Sequence, residues 1–94
     1  MCATKVEGEK NDHNVMLYTL STCTWCQATK DFLEENRIEY AYLNLDTCTR
    51  EERMETGRIL TEKKAPIGFP VGIIDDDVVI SGNDYDRYRE VLGF

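Results

Sequence analysis

The sequence predicts an α/β fold, a four-stranded mixed sheet with three helices in the order β-α-β-α-β-β-α. Three observations carry that prediction. Apolar runs of strand length alternate with helical patterns from residue 15 to about residue 63, two β-rich runs flank a polar turn further on, and the last apolar stripe has helical spacing. Val15 to Leu20 (VMLYTL) is continuously apolar apart from Thr19, as suits a strand buried on both faces. From Thr24 to Asn36 the apolar positions Trp25, Ala28, Phe32 and Leu33 recur at helical spacing, with Lys30, Asp31, Glu34 and Glu35 assigned to the polar side. Ile38 to Leu45 is rich in Tyr and aliphatics and gives the second strand, parallel to the first because a helix connects them. Thr49-Arg50-Glu51-Glu52 has capping-box spacing and opens a helix to about Lys63 with a thin stripe of Met54, Ile59 and Leu60. After the loop 64–68, Phe69 to Ile74 and Val78 to Ile80 flank Asp75-Asp76-Asp77 as a hairpin. Ser81-Gly82-Asn83-Asp84 then supplies a turn and an N-cap for a helix with Tyr85, Tyr88, Val91 and Leu92 on one face, ended by Gly93.

Composition narrows the function classes. Ninety-four residues support one domain, divided here into a flexible polar tail over residues 1–13 and a folded domain over 14–94. Eighteen acidic against eleven basic side chains give a net charge of −7, which argues against nucleic-acid and anionic-membrane partners. Four cysteines in so short a chain could form a disulfide scaffold, but residues 1–14 hold no apolar run of signal-peptide type. A reducing cytoplasmic location and a fold independent of any disulfide staple are therefore expected.

Cys23-Thr24-Trp25-Cys26 falls between the first strand and the first helix. The free backbone N–H groups and positive dipole end of a helix favour an anion there, so Cys23 is the expected nucleophile. Cys26, three residues further, lies one turn inward and is the expected resolving thiol. Cys23 would attack a substrate disulfide, and Cys26 would then displace the reduced substrate. Two competing readings are half of a zinc site and a purely structural pair. Zinc needs four ligands, whereas the sequence has no second Cys-x-x-Cys and one histidine, His13, in the tail. No metal site is expected. Trp25 is read as a substrate contact rather than a core anchor. Cys2 and Cys48 are read as inert free thiols.

The motif Tyr18-Thr19-Leu20-Ser21-Thr22-Cys23-Thr24-Trp25-Cys26, followed by Phe69-Pro70 and by Gly82-Asn83-Asp84, resembles the glutaredoxin-like members of the thioredoxin fold over residues 15–92. The resemblance implies that the Phe69-Pro70 bond is cis and faces the cysteine pair, that Phe69 offers its backbone to an extended substrate, and that Gly82 and Asp84 belong to the substrate-binding turn. The sequence departs from the family at Leu20 and Ser21, where a lysine is common, at Thr24, a frequent proline, and at Ser81, usually glycine. Lys63 and Lys64 remain as possible contacts for a small thiol.

The resulting expectation is a thiol-disulfide oxidoreductase acting on protein disulfides. It needs no cofactor beyond the Cys23-Cys26 pair and is recharged by a low-molecular-weight thiol or a reductase protein. The alternative is an iron-sulfur-cluster-binding module that uses Cys23 and a small thiol. Partner proteins should be recognised by the weakly charged rim of Trp25, Phe69 and Pro70.

Overall fold

A computed structural model describes residues 2–66 and 68–94; Ile67 of the predicted 64–68 loop and Met1 lie outside the described residues. The elements are β1 (Thr4–Val6), β2 (Val15–Thr19), α1 (Thr24–Glu35), β3 (Tyr40–Asn44), a single 3₁₀ turn (Leu45–Thr47), α2 (Arg50–Glu62), β4 (Val71–Ile74), β5 (Val78–Ser81) and α3 (Tyr85–Leu92). The mixed α/β architecture with three helices is as expected, and the sheet has the order β1-β3-β2-β4-β5. Among the described strands β2 and β3 alone run parallel, with Met16 opposite Ala41 and Thr19 opposite Asn44.

Alternation along the strands divides the core in two. Val15 and Leu17 of β2 and Ile74 of β4 pack with Phe32 and Leu33 of α1 and Tyr88 of α3. The opposite face, Tyr18, Leu43, Val71 and Ile73, takes Ile59 and Leu60 of α2. On the first face Gly72 is required by close approach, since a Cβ there would lie 2.2 Å from the Tyr88 hydroxyl. The helix ends follow the sequence signals. Thr49 and Glu52 form a reciprocal capping box, Asp84 accepts from the Arg87 amide at 3.2 Å, and Gly93 takes the left-handed conformation that closes α3.

The structure corrects several expectations. The sheet has five strands rather than four, because residues 4–6 of the supposed flexible tail pair antiparallel with β3, Thr4 opposite Tyr42 and Val6 opposite Tyr40. Lys10 continues the attachment: its amide donates to Arg37 O at 2.9 Å, and its carbonyl accepts from Glu39 at 3.0 Å. Gly8 lets the arm pass, since a Cβ there would meet the Glu39 backbone nitrogen at 2.6 Å. Cys2 and Cys48 are not free thiols; they form a disulfide across 46 residues with their Cα atoms 5.6 Å apart. The fold is therefore stapled.

Two helical faces also differ from expectation. The inward stripe of α1 is Cys26, Thr29, Lys30, Phe32 and Leu33, so Lys30, assigned to the polar side, is buried, while Trp25 and Ala28 are exposed. On α2 the buried position is Thr56, flanked by the partly buried Ile59 and Leu60, and Met54 points outward. Met54 lies two residues from Thr56, about 200° around the helix.

Candidate redox site

The corner between β2 and α1 begins as a turn in which the Cys23 amide donates to Leu20 O at 3.2 Å. Cys23 keeps extended dihedrals (φ −86°, ψ 113°) and is the N-cap of α1. Every helix leaves its first N–H groups without an internal partner. Here the Cys26 amide donates to Cys23 Sγ at 3.1 Å. Both cysteines are free thiols, Cys23 partly exposed and Cys26 buried. Burial, followed by the neighbouring Cys23 side chain, pushes the Cys26 thiol up to about 11.

Two further segments converge on this corner. The Phe69-Pro70 peptide bond is cis. Tyr18 pairs with Val71 in the antiparallel β2–β4 ladder, so Pro70 enters the sheet at the end of β2 that leads to the cysteine corner. Gly82, at φ +67°, donates its amide to Pro70 O at 2.8 Å. Asn83 Nδ2 donates to Trp25 O at 3.3 Å and to the Tyr85 hydroxyl at 2.7 Å, joining the turn before α3 to the first turn of α1. Trp25 itself is 66% exposed.

The corner is also anchored from the β3 side, through contacts that sequence reasoning missed. Ser21 donates its amide to Asp46 Oδ1 at 2.9 Å, and its hydroxyl bonds Asp46 Oδ2. These two bonds hold the Asp46 carboxyl below the usual carboxylate range. The Asp46 position carries no local signal, because it lies 25 residues from Ser21. Lys30 could have been found by counting from Cys26, since four residues along a helix returns to the same face.

Other sequence candidates are occupied elsewhere. Lys63, considered for a small-thiol carboxylate, pairs with Asp76 at 3.4 Å. His13 Nδ1 bonds Asp75 Oδ2 at 2.7 Å, which holds Asp75 below the ordinary carboxylate value. Asp84 uses one carboxylate oxygen as the α3 cap. Among the described residues no group of three or more His, Cys, Asp or Glu side chains is arranged to hold a metal ion.

The glutaredoxin family profile matches residues 15–79, which include the cysteine corner, the cis-proline and β4. The chain belongs to the glutaredoxin family. It is similar in structure to the glutaredoxin from Methanosarcina mazei Go1, with a TM-score of 0.89 and 31% identity over 100% of this chain and 90% of that one. It is likewise similar to Methanosarcina acetivorans methanoredoxin, with a TM-score of 0.85 and 30% identity over 93% of this chain and 90% of the other. A glutaredoxin-like 8.6 kDa protein in the rubredoxin operon of Clostridium pasteurianum is 29% identical over 69 residues, 73% of this chain and 85% of the relative. The fold is thus thioredoxin-like, and the family's general function is oxidoreductase chemistry on thiols and disulfides. Among the described residues no helix is long and apolar enough to cross a membrane.

Proposed function

We propose that this glutaredoxin-family protein is a dithiol oxidoreductase that reduces protein disulfides, with Cys23 as nucleophile and Cys26 as resolving thiol. The observation that carries the reading is the asymmetry of the pair. Cys23 is reachable, caps α1 and receives an N–H at 3.1 Å, whereas Cys26 lies buried one turn behind it. A backbone N–H on sulfur serves the thiolate that attack requires.

Cys23 S⁻ attacks one sulfur of the substrate disulfide, and the other sulfur leaves as a thiolate and takes a proton. Cys26 then loses its proton and bonds Cys23 Sγ, so the second substrate sulfur departs as a thiol. The substrate gains two electrons and the protein ends with a Cys23-Cys26 disulfide. A low-molecular-weight thiol or a reductase protein returns the two electrons, and no other cofactor enters the cycle.

Substrate docking falls to the surface around the corner. Trp25 and the half-buried Phe69 offer an apolar rim, whereas the side chain of cis-Pro70, expected on that rim, is fully buried; Phe69 can present its backbone to an extended segment in the manner of an added strand. Gly82 and Asp84 flank that rim on the α3 side. The acidic turn Asp75 to Asp77 is exposed, with His13 and Lys63 already on Asp75 and Asp76. A reducing cytoplasmic setting suits recharging by thiols but not the Cys2-Cys48 disulfide, a bond typical of oxidising compartments.

The test is disulfide reduction by the purified protein, followed with a protein disulfide as substrate. Cys23→Ser should abolish turnover, a loss of about 10⁴-fold or more as expected for a nucleophile. Cys26→Ser should accumulate a mixed disulfide on Cys23. Full activity in the Cys23→Ser variant would overturn the assignment.

A further inference from the structure

The inward face of α1 carries a charge that the reading above does not use. Lys30 follows Cys26 by four residues, so the two side chains sit on adjacent turns of one stripe. Both are buried, Cys26 with no exposed surface and Lys30 with 8%. A lysine withdrawn from water is normally offset by a carboxylate. Among the described residues Lys30 forms no ion pair. Its Nζ donates to Asn44 Oδ1 at 3.2 Å and stands 4.1 Å from the centroid of the Tyr42 ring, both neutral groups.

The direction of the side chain is informative. Long helical side chains lean back toward the helix N-terminus, and Asn44 lies opposite Thr19 in the β2–β3 ladder, at the end of the sheet where the cysteine corner begins. Thr19 Oγ1 bonds the same Asn44 oxygen at 2.5 Å, which orients the amide toward Lys30. The groups in contact with the ammonium are Asn44 and Tyr42 from β3; Cys26 shares its stripe one turn back, and Asp46, committed to Ser21, lies at longer range. Of these, Cys26 alone must change charge for the second step of the cycle.

We propose that Lys30 is the charge partner of the resolving cysteine: its buried ammonium stabilises the Cys26 thiolate that attacks the Cys23 mixed disulfide. This inference rests on the dithiol reading. Lys30 keeps its proton throughout, and the Cys26 proton goes to water. The freed electron pair makes the Cys23-Cys26 bond as the bond from Cys23 to the substrate sulfur breaks. Lys30 is thus a positioning residue acting through Cys26. Burial is the largest influence raising the Cys26 thiol; of the two that lower it, the Leu20 backbone hydrogen bond comes first and the Lys30 charge second.

Cys26 can be titrated without any catalysis. In a Cys23→Ser background, the rate of Cys26 alkylation against pH titrates that thiol alone, because Cys2 and Cys48 are bonded to each other and the five tyrosines are far less reactive toward the reagent. Adding Lys30→Met should move that titration up by about one unit, a tenfold loss of thiolate at a given pH, while Lys30→Arg should hold it near its starting position. Lys30→Gln serves if the methionine variant fails to fold. With both native cysteines present, Lys30→Met should slow decay of the Cys23 mixed disulfide about tenfold. In Cys26→Ser protein the same substitution should leave formation of that disulfide unchanged. An unmoved Cys26 titration in a folded variant overturns the proposal, as does equal slowing of both steps. Failure of Cys26→Ser protein to form any mixed disulfide would instead count against the dithiol reading, with the titration still deciding the role of Lys30.

Discussion

The two cysteine pairs solve opposite problems with the same side chain. Cys23 and Cys26 are three residues apart, remain free thiols, and sit where a helix begins. Cys2 and Cys48 are 46 residues apart and bonded, tying the N-terminal arm to the segment that enters α2. At the first pair the Cys26 amide donates to Cys23 Sγ at 3.1 Å, a local property of the start of α1. Closure at the second comes from the sheet, because pairing of β1 with β3 brings residue 2 back to the end of β3. One pair is therefore left as free thiols at a helix start, and the other is bonded across the fold.

The sharpest way to break this contrast is to remove the staple. Cys2→Ser/Cys48→Ser protein should lose about 4 kcal/mol of stability, from closure of a loop of this length, and keep disulfide-reducing activity. Denaturant midpoints with and without the substitutions check the first part. Loss of activity in folded protein would show that the pairs are not separate. Gly8→Ala tests the arm without touching sulfur. Its Cβ would lie 2.6 Å from the Glu39 nitrogen, so stability should fall by about 1–3 kcal/mol. Amide exchange at Thr4–Val6 should quicken, while alkylation of Cys23 stays the same.

The smallest expected effect is on pH. Cys26 is raised from an ordinary 9.0 to about 11, chiefly by burial. Tyr18, Tyr40 and Tyr88 are also raised from 10.0, again with burial as the first cause. All four groups bind their protons more tightly in the folded chain. The stability they contribute is complete below about pH 9 and lost progressively as pH rises through the folded values. The urea midpoint should therefore decline on the alkaline side, and Cys26→Ser should remove the part of that decline beginning near pH 9. An unchanged profile in that variant would contradict the burial of Cys26 as its cause.

Legibility in the sequence followed the range of the interaction. The helix caps at Thr49, Asp84 and Gly93, the turn between β4 and β5, and the Cys23-Cys26 motif each depend on residues a few positions apart. Each was where its local chemistry placed it. The arm was misjudged because a three-residue strand, Thr4-Lys5-Val6, is too short and too polar to show periodicity, and its stability comes from β3 and the staple. Lys30 was misjudged for a different reason. Hydropathy assigns a lysine outward, whereas the stripe set by Cys26 and Leu33 turns this one inward.

By itself the sequence determined the alternation of strands and helices, the capped helix ends, and the cysteine motif at the start of a helix, all consequences of local dihedral preference and short-range hydrogen bonding. Only the tertiary structure decided that the first residues form an edge strand, that Cys2 meets Cys48, that Asp46 anchors Ser21, and that Lys30 reaches Asn44. Those contacts join segments 14 to 46 residues apart. Such pairings exist only after the sheet has assembled, because the favourable energy of each is realised at a geometry that no local stretch of chain can impose.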